Sequence, residues 1–352
     1  MTPKQRINAA LAFEPVDIVP VETRLSAAAL HEHGQALLDL TKRFSQDFGP
    51  YRQIDIPHPR PGTVDAAGRY YDTWKDEWGV LWEYRIFGIN GHPLERPLDD
   101  WSALATYQPP APPRPEKPGL TPIFGAVAVA ENGVRPGFSL ADYFTKGGWC
   151  NIFEVLIAAR RFEDVLVDLA ADAPEIHRLA DMILQHRLAT ADCLMAAGYD
   201  AIQVADDFGT QNGLLISPAL WRRFFQPRYR QLVDRIHAAG KKAFYHTCGQ
   251  CWDLLEPLAE TGFDAVWPQL PLYDYEALAR KSRELHMAIA LHPDRGHLMT
   301  SGTPQQVRDE VHRIVDRFRV LEGGSWMYVE IDNGHPMANI EALMGTIDEL
   351  RS

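Results

Sequence analysis

From residue 123 onward the chain alternates between short apolar runs and amphipathic helical stretches, and this alternation limits what it can fold into. Apolar runs at 123–129, 201–205, 243–246, 265–267, 287–291 and 326–330 are separated by helical periodicity. The helical stretches cover 152–171, 173–197, 218–239, 251–261, 275–284 and 304–320. Repeated strand–helix units with short links require a parallel sheet with helices outside it. A further strand at 17–22 brings the number to seven. Ser217-Pro218 and Thr303-Pro304-Gln305-Gln306 carry helix-start chemistry: a hydroxyl cap, proline in the first turn and, in the second case, a capping-box glutamine. Gly198, Gly240 and Gly262 follow helices where a left-handed cap is wanted. No glycine-rich phosphate loop follows an early strand, which removes the usual reason for an open dinucleotide-binding sheet. The expected fold is α/β, a (β/α)8 TIM-type barrel with one strand unassigned and an N-terminal elaboration.

At 352 residues the chain fits one barrel of about 250 residues with additions. Residues 1–107 supply the first strand, the elaboration and an alternating aromatic hairpin at 68–87 with Tyr70, Trp74, Trp78, Trp82 and Tyr84. Residues 108–122 hold seven prolines in fifteen positions, a stiff connector rather than a helix or central strand. Residues 123–352 form the main body, all within one structural domain. A net charge of −12 argues against a nucleic-acid or anionic-membrane partner. There is no run of roughly 18 apolar residues and no signal-peptide core at the start. Four cysteines are too few for a disulfide framework, so a reducing cytoplasm is expected.

In such a barrel, chemistry sits where strands end and the following loops begin. The ends carry Glu22 and Arg24; Asp206, Asp207 and Phe208; His246 and Cys248; Trp267; His292, Asp294 and Arg295; and Glu330 and Asp332. Residues two apart on a strand share a face, so His246 and Cys248 can address one ion. Imidazole with thiolate suits zinc. The plainer alternative makes His246 a loop cap and Cys248 a small buried filler. A third ligand can come from Cys251, Glu330 or Asp332. Adjacent carboxylates point to opposite sides, so one of Asp206 and Asp207 faces the site while the other binds backbone amides or a helix terminus. His292, Asp294 and Arg295 suit either a polar substrate group or a structural ion pair. Trp326 and Tyr328 share a face with Glu330, so aromatics would wall the site, whereas Trp74, Trp78 and Trp82 suit packing.

Several strings occur together and in order. They are Asp206-Asp207-Phe208-Gly209-Thr210-Gln211, Ser217-Pro218 with Trp221, Gly240-Lys241-Lys242, and His246-Thr247-Cys248-Gly249. With the opening MTPKQRINAALAFEPVDIVPVE, Asp76-Glu77-Trp78-Gly79, and Gly323-Gly324 followed by Asn339-Ile340-Glu341-Ala342-Leu343, the chain resembles the uroporphyrinogen decarboxylase superfamily. Within it the chain looks closest to the corrinoid-dependent methyltransferases. The resemblance implies a TIM-type barrel and zinc ligands at His246 and Cys248. True uroporphyrinogen decarboxylases grip an octa-anionic substrate with N-terminal arginines, and Leu25 to Leu38 contains none.

Methyltransferases acting on coenzyme M place a further cysteine near the C-terminus, but here no cysteine follows Cys251, and Glu330 or Asp332 stands in that neighbourhood. A carboxylate in place of a thiolate leaves the metal more Lewis-acidic, better matched to an ether oxygen. The expected reaction moves a methyl group from an O-methyl substrate, an aryl methyl ether, to the cobalt of a separate corrinoid protein. Zinc would be held by His246, Cys248 and Glu330, with Asp207, His292 and Arg295 acting on the substrate. Glu22, Asp206, Phe208, Trp267, Trp326 and Asp332 would line the pocket. The chain has no D-x-H-x-x-G corrinoid signature, so cobalamin would arrive on the partner. The alternatives are a methylcorrinoid-to-thiol transferase and a metal-free decarboxylase on the same barrel.

Overall fold

The computed structural model describes residues 1–49, 56–111 and 139–352. The predicted strand at 123–129 and most of the proline-rich connector lie outside the described residues. Among the described residues ten strands occur in chain order: β1 (Val21–Leu25), β2 (Asp72–Lys75), β3 (Leu81–Tyr84), β4 (His92–Glu95), β5 (Lys146–Gly147), β6 (Ala201–Ala205), β7 (Lys242–Thr247), β8 (Ala265–Pro268), β9 (Ala288–Leu291) and β10 (Ser325–Ile331). The described chain falls into two compact units. One comprises the described residues of Met1–His58, Lys117–Gly147 and Asp264–Ser352, the other those of Pro59–Glu116 and Gly148–Phe263.

In the first unit β1, β10, β9 and β8 run parallel in that order. Val21 lies opposite Met327 and Leu25 opposite Ile331, which fixes the register of β1 on β10. The helix Pro304–Phe318 buries Val307, Val311, Ile314, Val315 and Phe318, the one-sided stripe that docks a helix on such a sheet. Its start is the expected capping box: the Thr303 side chain accepts from Gln306 N, and the Gln306 side chain accepts from Thr303 N at 2.8 Å. The first strand lies four residues later than 17–22. Pro20 has no N–H to give a ladder, and Asp17 is taken up by Arg6 at 2.7 Å, so pairing begins at Val21. Glu22 and Arg24 therefore sit inside β1 rather than at or beyond its end.

In the second unit β6 and β7 are parallel, with Ala201 opposite Lys242 and Ala205 opposite His246. β2, β3 and β4 form an antiparallel sheet, so the aromatic hairpin has a third strand. That strand has four residues and contains Pro93, too little for a pattern to show. Two predicted helices are each broken in two. The first becomes Phe153–Ala159 and Phe162–Ala171, because Arg160 turns extended and gives its guanidinium to the Leu98 and Asp99 carbonyls and to Asp168. The second becomes Pro218–Phe224 and Gln226–Ala238, with Pro227 in the first turn of the later piece. Gly262 ends its helix at φ +101°, as its position requires. The α/β class with parallel strand–helix units agrees with the sequence reading; among the described residues eight such strands are not found.

Candidate metal centre

β6 and β7 bring their carboxyl ends together in the second unit. Asp206 N donates to the His246 carbonyl at 3.1 Å, which extends the ladder one residue past β6. Beyond that bond the side chains of adjacent residues diverge. Asp206 is fully buried and turns toward the helix Phe153–Ala159, where it accepts from Ile152 N at 2.8 Å, Glu154 N at 2.7 Å and the Tyr229 hydroxyl. Asp207 turns the other way and meets His246 and Cys248.

These three side chains make the one group of potential metal ligands found among the described residues, with all ligand atoms within 4.8 Å of one another. Cys248 Sγ lies 3.4 Å from His246 Nε2, and Asp207 Oδ1 lies 3.7 Å from the same nitrogen. A tetrahedral zinc with bonds of about 2.0–2.3 Å spaces its ligand atoms roughly 3.3–3.6 Å apart. The donor set, one nitrogen, one sulfur and one carboxylate oxygen, fits that ion in kind, and the distances from the imidazole nitrogen to the other two donors lie close to that spacing. Cys248 N also donates to Asp207 Oδ1 at 2.7 Å, which pins the carboxylate against the loop. Trp149 covers one side, its ring centroid 5.8 Å from that of His246.

The loops that carry the ligands interlock. Gly249 has φ +80°, and a β-carbon there would fall 2.2 Å from the Gly209 carbonyl carbon. One on Gly209 would fall 2.6 Å from the Cys248 carbonyl oxygen. Gln250 N donates to Thr210 O at 2.7 Å, a further tie between the same loops.

Two carboxyls behind the site are electrostatically unusual. Burial pushes Asp206 up to about 6 against the pull of Tyr229 and the backbone amides. Glu154 is pushed up to about 8 by burial, with the charges of Asp206 and Asp207 adding to it. Glu154 Oε1 accepts from Asp207 N at 3.3 Å, so it supports the ligand residue directly. Sequence reading missed Glu154, because the two-residue strand β5 before it leaves no periodic trace. The pair Gly147-Gly148 just upstream is the only sign of a close turn there.

Cys251 stays outside the group. Its thiol is buried beside Thr247 Oγ1 at 3.3 Å, donates to the Cys248 carbonyl at 3.4 Å, and is pushed up to about 12 by burial. Phe208 is likewise fully buried, stacked on Phe153 at 4.6 Å with Phe225 at 4.8 Å, so it packs the core behind the loop.

The other predicted site residues lie in the first unit. Glu330 is ion-paired with Arg295. Glu22 accepts from Lys146 at 2.7 Å and from Trp326 Nε1 at 3.2 Å. Trp267 lies against Tyr328 at 4.4 Å. His292 is buried, with Nδ1 2.9 Å from the Pro293 carbonyl and Nε2 2.9 Å from the Pro268 carbonyl and 3.3 Å from Leu270 N. Asp332 Oδ1 accepts from Asn333 N at 2.9 Å, a local turn contact. Glu330 was expected to complete the metal set; the residue beside His246 and Cys248 is Asp207.

The uroporphyrinogen decarboxylase (URO-D) family profile matches residues 84–350. The chain belongs to that family. No curated protein sequence matches it. Among solved structures, a methyltransferase from Methanosarcina mazei is similar over 100% of both chains, with a TM-score of 0.66 at 15% identity, so the two share a fold. Dihydropteroate synthases are more distant. That of Xanthomonas albilineans, solved with 4-aminobenzoic acid, has a TM-score of 0.34 at 13% identity over 45% of this chain and 58% of its own. That of Coxiella burnetii, solved with pteroic acid, has 0.34 at 15% identity over 45% and 59%. Among the described residues of this URO-D family chain, no helix is long and apolar enough to cross a membrane.

Proposed function

We propose that this URO-D family chain is a zinc-dependent methyltransferase that takes a methyl group from an aryl methyl ether and passes it to the cobalt of a separate corrinoid protein. The convergence of Asp207, His246 and Cys248 carries the reading. His246 near the end of β7 and Cys248 just beyond it would hold the metal, with Asp207 as the third protein donor. Bound zinc supplies Lewis-acid polarisation of the ether oxygen, which makes the aryloxide a better leaving group. The protein's own contribution is placement. Asp206 anchors the start of the helix Phe153–Ala159, Glu154 steadies the Asp207 amide, and Trp149 shields the imidazole.

Metal analysis tests this reading. Wild type and Glu330→Ala are expected to hold about one zinc per chain, and His246→Ala, Cys248→Ser and Asp207→Ala to lose it while remaining folded. With a methoxyarene and a reduced corrinoid protein, only the zinc-holding forms are expected to release the phenol. Zinc-free wild type, or a fully active His246→Ala, would sink the proposal. A silent Cys248→Ser beside an essential Asp206 would instead favour the metal-free decarboxylase.

A further inference from the structure

A cleft of about 540 Å³ opens in the first unit, a volume within the range of small-molecule sites. It lies beyond the carboxyl ends of the paired parallel strands β8 and β9, the side on which such sheets receive ligands. Residues between 271 and 276 line it after β8, Asp294 and Leu298 line it after β9, and the helix Pro304–Phe318 closes it with Glu310, Arg313 and Arg317.

The charges of the walls select the class of ligand. Arg313 is held by Glu310 at 2.7 Å, and its guanidinium carbon stands 4.6 Å over the ring of Tyr275, whose hydroxyl donates to the same carboxylate at 2.6 Å. Arg317 is paired with Glu276. Two carboxylates are left, Asp274 and Asp294, and neither is in an ion pair among the described residues. Each uses one oxygen to cap backbone amides. Asp274 Oδ1 accepts from Ala277 N at 2.8 Å, and Asp294 Oδ1 accepts from Gly296 N at 2.8 Å and His297 N at 3.2 Å. A concave wall of one sign concentrates counter-ions, so the cleft selects a ligand of two positive charges. No three carboxylates of the cleft bring their oxygens within 4.8 Å of one another, so they do not form a cage for a pointlike metal ion. Pro271 and Leu298 add an apolar wall that suits a methylene chain.

We propose that this cleft binds a linear aliphatic diamine, with its ammonium groups on Asp274 and Asp294 and its methylenes along Pro271 and Leu298. The proposal rests on neither zinc nor methyl transfer. Calorimetric titration of the full chain at low ionic strength tests it, with cadaverine, pentylamine and magnesium as probes. Cadaverine is expected to bind saturably at one site per chain, and pentylamine and magnesium at least about tenfold more weakly. Asp274→Asn and Asp294→Asn keep the capping oxygen and remove the charge, and each is expected to weaken cadaverine by about tenfold. Arg317→Met releases Glu276 and is expected to tighten cadaverine binding severalfold. Absence of saturable cadaverine binding, or pentylamine or magnesium binding as well as cadaverine, overturns the proposal. So do asparagine variants that bind like wild type, or a weaker Arg317→Met. If either asparagine variant melts before it can be titrated, the pentylamine and Arg317→Met arms decide.

Discussion

At the scale of single residues, burial rather than residue type decides what each polar group does. His292 stands at a strand end, where sequence gives it a place in the chemistry, yet its ring is enclosed and bonded to backbone. Burial, helped by the charge of Arg295, holds its pKa down at about 4 against an ordinary 6.5. The unfolded chain therefore binds a proton through a pH range in which the native state does not, and stability falls as pH drops from 6.5 toward 4. The expected contribution is a loss of about 2 kcal/mol between pH 7 and pH 5. Urea unfolding at the two pH values should show this loss in wild type and a correspondingly smaller one in His292→Asn. Equal losses in the two proteins would show that the ring titrates normally. The same contrast separates the adjacent pair Asp206 and Asp207. Sequence could say that they diverge, but not which of them would be swallowed by the amides of a helix more than 50 residues earlier.

At the scale of elements, legibility follows pattern length. The helix Pro304–Phe318 was visible because its start chemistry and its apolar stripe agree. Thr303→Ala removes the side-chain half of that capping box, and a loss of about 1 kcal/mol is expected in chemical denaturation with native secondary structure retained. No change would mean that the helix is held by its packing alone. Strands β6 to β10 were legible to within a residue or two as short apolar runs, whereas β4 and β5 were too short to register. The H-x-C spacing at the end of β7 was legible for the same reason, since alternation along a strand needs no partner to be read. The third candidate donor was not. Glu330 and Asp207 are both carboxylates at strand ends, and what distinguishes them is that Arg295 has claimed one of them. An ion pair between residues 35 positions apart leaves no local signature.

At the scale of the whole molecule, the chain is two compact units, and the candidate ligands all belong to one of them. Metal binding should therefore act on the molecule unevenly. Zinc at a hundredfold excess over its dissociation constant adds about 2.7 kcal/mol to the state that binds it. Thermal unfolding should shift upward with zinc in wild type and not in Asp207→Ala. Amide exchange should slow first around Asp207–Thr210 and Cys248–Cys251. Protection spread evenly over both units would argue against a local metal effect.

The interlock of Gly209 with Gly249 carries a consequence for how such a site can change. With no room for a β-carbon at either contact, neither glycine can take a side chain without displacing the other loop. The spacing of Asp207 from Cys248 behaves as a single inherited trait rather than two. Retuning the centre, in a lineage or in a selection experiment, is thereby channelled into exchanging one donor side chain for another on a fixed backbone.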